Sequence, residues 1–194
     1  MSNIIDDQTD YINEKNVSMS PTVLKYGIIG GLAVVGYKYL NYTTLFATES
    51  LGNFLLTLLL NLVLFGGLVY AVIKEHRDRD LGGYITMGRC LGLGILTVVL
   101  ASTLGGIFDY IYMAFVDADV LQKLNAQLTW VYDMMGMDED QIEDAIAAME
   151  DAQGQIEPSL LMSAGGAAIG GVFTGLILSA IMGAFMRKTH PDIA

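Results

Sequence analysis

The sequence predicts an all-α integral membrane protein. The expected architecture is a four-transmembrane-helix bundle with an external acidic amphipathic helical hairpin between helices 3 and 4. Three observations carry that reading. Hydrophobic residues fill 53% of the 194 positions and charged residues only 16%, whereas a soluble domain carries about 25%. Four apolar segments, roughly 22–40, 51–73, 90–115 and 159–186, reach the length of about 20 residues that a bilayer crossing needs. The charge is also segregated. Asp109 to Glu157 holds twelve acidic residues and one lysine, leaving nine acids and nine bases elsewhere, so the net charge of −11 belongs to one segment.

The first 21 residues, "MSNIIDDQTDYINEKNVSMSP", are polar and acidic. They lack the basic start and short apolar core of a cleaved secretory signal. The expectation is a cytoplasmic tail followed by a first span that remains as an anchor. Lys25 sits just inside that span, close enough to its end to snorkel to water.

Span two carries a polar line at every fourth residue: Asn53, Thr57 and Asn61. Asn61 falls near mid-membrane, where a polar side chain belongs against other helices rather than lipid. Thr97, Ser102 and Thr103 of span three are the expected partners. A hydrophilic path through a small pore or transporter is the alternative use of this stripe.

The stretch "KEHRDRDLGGYITMGR" follows, and it holds four of the ten basic residues: Lys74, Arg77, Arg79 and Arg89. Lys and Arg accumulate in cytoplasmic loops near span ends. With four crossings, eight bases (Lys15, Lys25, Lys74, Arg77, Arg79, Arg89, Arg187 and Lys188) share one face, against Lys38 and Lys123 on the other. Both termini and this loop are therefore expected on the cytoplasmic side. Gly82 and Gly83 suit a left-handed helix stop. Thr86 suits the cap of helix three, and Tyr84 the headgroup level. The basic loop residues with Tyr84 also form a candidate surface for lipid headgroups. His76 and His190, each isolated beside charges, read as solvated.

"HRDRDLGGYITMGRCLGLG", with a first span beginning "LKYGIIGGL", resembles the uncharacterised bacterial membrane family called domain of unknown function 4199. The resemblance covers roughly residues 22–188. It implies four hydrophobic spans, a charged inner loop and a polar, Met-rich helical segment before the last span. It implies no activity. The acidic first 20 residues and the scarcity of lysine in the outer segment depart from the family pattern.

In span three, Cys90 is the sole cysteine, so no intramolecular disulfide forms; a small packing residue is expected there. Asp109 lies twenty residues after Arg89, about 30 Å along a helix, which is the hydrocarbon thickness. Tyr110 and Tyr112 beside it read as an outer aromatic belt. No ionisable group is thus expected at the midplane, which disfavours proton-coupled transport.

The segment 117–157 reads as two amphipathic helices separated by Gly136. Asp138 with Gln141 resembles a capping box. Met134, Met135 and Met137 suit adaptable packing better than a Cu(I) site, so neither metal nor cofactor is expected. Span four carries a small residue at every fourth position: Ser163, Ala167, Gly171, Gly175, Ser179 and Gly183, widened by Gly166 and Gly170. Such faces let helices touch closely in lipid, within one chain or in a homo-oligomer.

Catalytic motifs such as G-x-S-x-G, a P-loop or H-E-x-x-H do not occur. The expected role is therefore non-catalytic: a structural or interaction component with the bilayer and a larger membrane complex as partners. Neither a nucleic acid nor a small-molecule substrate is expected.

Overall fold

The architecture was described on a computed structural model, which describes residues 14–45, 51–154 and 159–188. Six α-helices follow in order: α1 (Ser20–Leu40), α2 (Leu51–Glu75), α3 (Met87–Phe115), α4 (Val120–Met134), α5 (Glu139–Gly154) and α6 (Leu160–Met186). A 3₁₀ turn (Glu14–Asn16) precedes α1, and widened π turns extend α1 (Asn41–Leu45) and α2 (His76–Asp80).

The helix ends follow local chemistry. The Thr86 hydroxyl accepts from the Arg89 N–H at 3.4 Å and so caps α3, as the sequence predicts. Ser159 caps α6 in the same way through the Met162 N–H, at 3.3 Å. Gly82 and Gly83 adopt φ of 64° and 96°, the left-handed region that glycine enters without strain. They end the extension of α2, as expected. Gly136, at φ 77°, turns α4 into α5, and the Gln141 side chain accepts from the Asp138 N–H at 3.3 Å, completing the reach-back half of the capping box.

Helix α3 lies at the centre. It runs antiparallel to α6: Gly183 faces Met87 and Cys90, Gly175 faces Ile95, Gly171 faces Val99 and Ser102, and Ser163 with Ala167 face Gly106. It runs parallel to α1, where Gly27 faces Leu100, Gly31 faces Leu104 and Val34 faces Gly105. The tightest core gathers at the end nearest the inter-span loop. There Val69, Val72, Ile73, Leu93 and Val98 are fully buried beneath Leu81, Ile85 and Met186. Cys90 joins them as a free, buried thiol, as expected.

Among the described residues, three helical stretches are long and apolar enough to cross a membrane: Leu51–Asp80, Met87–Phe115 and Leu160–Met186. The sequence predicts four, and α1 falls outside this set because Lys25, Lys38, three tyrosines and several glycines lower its hydropathy. Outside the core, α2 and α6 present apolar surface. Leu58, Leu62 and Val63 of α2, and Ile169, Phe173 and Ile177 of α6, are all more than half exposed. Exposed apolar area on this scale marks a surface meant for lipid or protein rather than water.

Candidate functional site

The polar groups of the bundle collect at two levels. The first is the loop end. His76 opens the π turn after α2 and is fully buried, which corrects the expectation of a solvated ring. His190 lies outside the described residues. The Nδ1 of His76 is 2.8 Å from Asp80 Oδ2, and the Thr22 hydroxyl donates to the same oxygen at 3.1 Å. On the other side, Arg89 Nε approaches His76 Nε2 at 3.2 Å and Arg89 Nη2 at 3.1 Å. Arginine has no acceptor, so Nε2 must accept and Nδ1 must carry the proton toward Asp80. The ring is the neutral link between a guanidinium and a carboxylate.

Arg89 reaches further. Its Nη1 donates to the Glu14 carbonyl at 2.8 Å and its Nη2 to the Val17 carbonyl. The Glu14 carboxylate accepts from the N–H and hydroxyl of Thr86, both at 2.7 Å, where the dipole of α3 favours an anion. The segment before α1 is thereby fastened to the start of α3. Arg77 donates to the Met186 carbonyl at 3.3 Å, and Ile85 exchanges two backbone hydrogen bonds with Lys188, so the end of α6 is fastened as well. Lys25 pairs with Glu75 at 2.7 Å, and Tyr26 donates to Glu75 at 2.5 Å.

This corrects the lipid-headgroup reading for half of the loop. Arg89 and Arg77 are spent on internal acceptors, whereas Lys74, Arg79 and Tyr84 stay exposed. Spacing along one chain placed these bases on one face. It carried no sign that Arg89 would turn inward, because two of its three acceptor residues, Glu14 and Val17, lie more than seventy positions away.

The second level is the opposite end. Lys38 Nζ pairs with Asp109 Oδ2, and the Tyr42 hydroxyl donates to Asp109 Oδ1 at 2.7 Å. Gly105 makes the approach possible: a Cβ there would meet Val34 Cγ1 at 2.7 Å and Lys38 Cε at 3.3 Å. Phe108, Tyr112 and Tyr42 close around the pair, with ring centroids 5.1–6.4 Å apart. Sequence reasoning put both Lys38 and Asp109 at the outer level and missed their partnership; shared depth was the available signal. Removing one partner leaves a half-buried charge. Asp109→Leu is expected to cost about 1–3 kcal/mol, between the exposed and buried limits for ion pairs. Lys38→Met combined with Asp109→Leu should recover most of that loss in thermal melts.

Beside the second level lies the predicted stripe, with a different partner. Asn61 Nδ2 donates to the Tyr37 hydroxyl at 2.6 Å and to the Thr57 carbonyl at 3.0 Å. Tyr37 in turn donates to Thr57 O at 3.2 Å and accepts from Asn41 at 3.0 Å. Asn61 and the Thr57 carbonyl therefore bond α1 and not α3. Thr103 bonds back to Val99 O, Ser102 packs at Gly171, and Thr97 Oγ1 is buried without a partner among the described residues. Asn53 lies half-buried further along α2.

All six ladder positions of α6 meet α3. A Cβ at Gly175 would lie 2.9 Å from Ile95 Cα, and one at Gly171 3.0 Å from Val99 Cα. The face is narrower than expected, because Gly166 and Gly170 are exposed with nothing within 4 Å of an added Cβ. Met134 and Met135 are also exposed, 46% and 70%, so they do not serve as packing within the chain. Among the described residues, no three His, Cys, Asp or Glu side chains converge as metal ligands would.

The family model "Protein of unknown function (DUF4199)" matches residues 25–188. The chain belongs to the DUF4199 family. No curated protein and no solved structure matches it. The matched stretch of this DUF4199 chain begins at Lys25 and ends at Lys188. It therefore includes most of both polar levels and the α4–α5 hairpin, while Thr22, and Glu14 and Val17, which Arg89 holds, precede it.

Proposed function

We propose that this DUF4199 protein is a non-catalytic, four-span component of the bacterial inner membrane. In this reading both termini are cytoplasmic, and α4–α5 is an external acidic lobe through which it engages a membrane complex or a second copy. One observation carries the reading: most charged side chains at the two levels are spent on partners within the bundle, while the band between them offers an exposed apolar surface. Helix α1 shares in that band, with Leu24, Ile28, Ile29 and Leu32 each at least half exposed. It also runs beside α3 from Gly27 at Leu100 to Lys38 at Asp109. A partner that crosses the bilayer thus has α1 along most of its length, which supports a fourth crossing despite the two lysines.

Labelling with an impermeant maleimide tests the topology, since Cys90 is buried. Four crossings put three helices between Ser18 and Ala148. Ala148→Cys should react in intact cells and Ser18→Cys only after permeabilisation. Labelling of both from the same side would make α1 a surface helix and remove the fourth span.

The second reading is a small pore along Asn53, Thr57 and Asn61. The bonds from Asn61 and Thr57 to Tyr37 favour a structural role instead. Asn61→Leu is expected to lower stability by about 1–3 kcal/mol by leaving Tyr37 short of a donor. Liposomes holding the wild-type protein should pass no more cations than empty ones. Flux that Asn61→Leu abolishes in a folded protein would establish the pore.

A further inference from the structure

The hairpin contains an open groove of about 810 Å³ between α4 and α5. Trp130, Ile142 and Ile146 give it an apolar floor, and Asp133, Glu139 and Glu143 stand along it. All three carboxylates are on exposed residues. Trp130 is steadied from the α2 side by Phe54, with ring centroids 6.4 Å apart. The groove belongs to the stretch that holds twelve acids and one lysine.

We infer that this groove binds a basic, amphipathic peptide segment of a partner protein, in which Lys or Arg residues flank apolar ones. The inference rests on the reading of α4–α5 as a water-exposed interaction lobe. Three features select this occupant. The charge of the lobe is overwhelmingly negative, with Lys123 its single base, which steers cations to it and repels anions. The floor is aromatic and aliphatic, so it accepts both the apolar anchors and the stems of Lys and Arg, whose heads can lie over an indole or reach a carboxylate. The carboxylates line the groove instead of converging, and no three-ligand cluster forms among the described residues. An elongated polycation satisfies that arrangement better than one metal ion. Met134 and Met135, exposed at the hairpin tip, add the adaptable apolar contact found on surfaces that take varied sequences.

The chain contains one tryptophan, and it lies in the groove, so its fluorescence reports occupancy directly. The full chain in neutral maltoside micelles is titrated with a Trp-free peptide of alternating Lys and Leu. A saturable change in Trp130 emission is expected, weakening as salt rises from about 0.05 to about 0.3 M. Asp133→Asn with Glu139→Gln and Glu143→Gln keeps the shape of the groove and removes its charge. Binding to that variant should be at least about tenfold weaker. A Glu/Leu peptide should leave Trp130 unchanged.

No response to the Lys/Leu peptide, an equal response to both peptides, or an unaffected triple variant would each overturn the inference. So would a saturable response to Mg²⁺ that displaces the peptide, since the groove would then be a metal site. A Trp130 response together with failure of Ala148→Cys to label from outside would keep the peptide groove and reverse only the side of the membrane on which it works.

Discussion

Gly175→Leu should lower the melting temperature in detergent by about 10 °C or more, corresponding to about 3 kcal/mol for a chain of this size. A Cβ at Gly175 falls 2.9 Å from Ile95 Cα and 3.4 Å from the Gly94 carbonyl oxygen. These are backbone atoms that cannot rotate aside, so α3 and α6 must separate. Overpacking generally costs about 1–3 kcal/mol, and here it also strips the neighbouring contacts of Gly171 and Ser179. Gly170→Leu is the matched control. It makes the same change in the same helix, but Gly170 has nothing within 4 Å, so a shift within about 0.5 kcal/mol is expected. Equal loss in both variants would attribute the effect to the helix itself and remove the argument for close packing.

Arg89→Met should be the most damaging change in the loop. It withdraws the donors that serve His76 Nε2 and the Glu14 and Val17 carbonyls. His76 has no exposed surface, so water cannot replace the lost partner, and an unpaired buried acceptor costs about 1–3 kcal/mol. The two carbonyls lie nearer the surface and rehydrate more cheaply. A total of about 2–4 kcal/mol is expected, with faster proteolysis of the segment before α1 as a local readout. Arg89→Lys should restore little, because an ammonium cannot span acceptors that a planar fork joins. Arg79→Ala removes a base from the same loop that is 75% exposed, and it should stay within about 0.5 kcal/mol. If Arg89→Met proves no worse than Arg79→Ala, the loop bases serve orientation alone.

The two variants mark where the sequence is legible. The α6 ladder was readable because residues four apart are neighbours on a helix, and six small residues at that spacing form one continuous ridge. What they touch was not readable. Gly94, Gly105 and Gly106 on α3 receive Ser179, Lys38 and Ala167, but glycines in an apolar span give no period of their own. Gly166 and Gly170 belonged to the face by composition and left it by rotation.

By itself the sequence determined the helices, their caps and stops, and the confinement of the net charge to one segment. It also determined that an apolar surface must be covered by lipid or protein. Those are local or additive properties: a cap needs a hydroxyl three residues from an N–H, and hydropathy sums along a span. Only the tertiary structure decided which helix meets which. It turned the stripe of α2 to Tyr37 instead of α3, paired Lys38 with Asp109 across 71 positions, and drew His76 and Arg89 out of water into a closed network. Each is a contact between distant residues whose stability depends on a shared depth and azimuth, and neither coordinate is written in the spacing of a single helix.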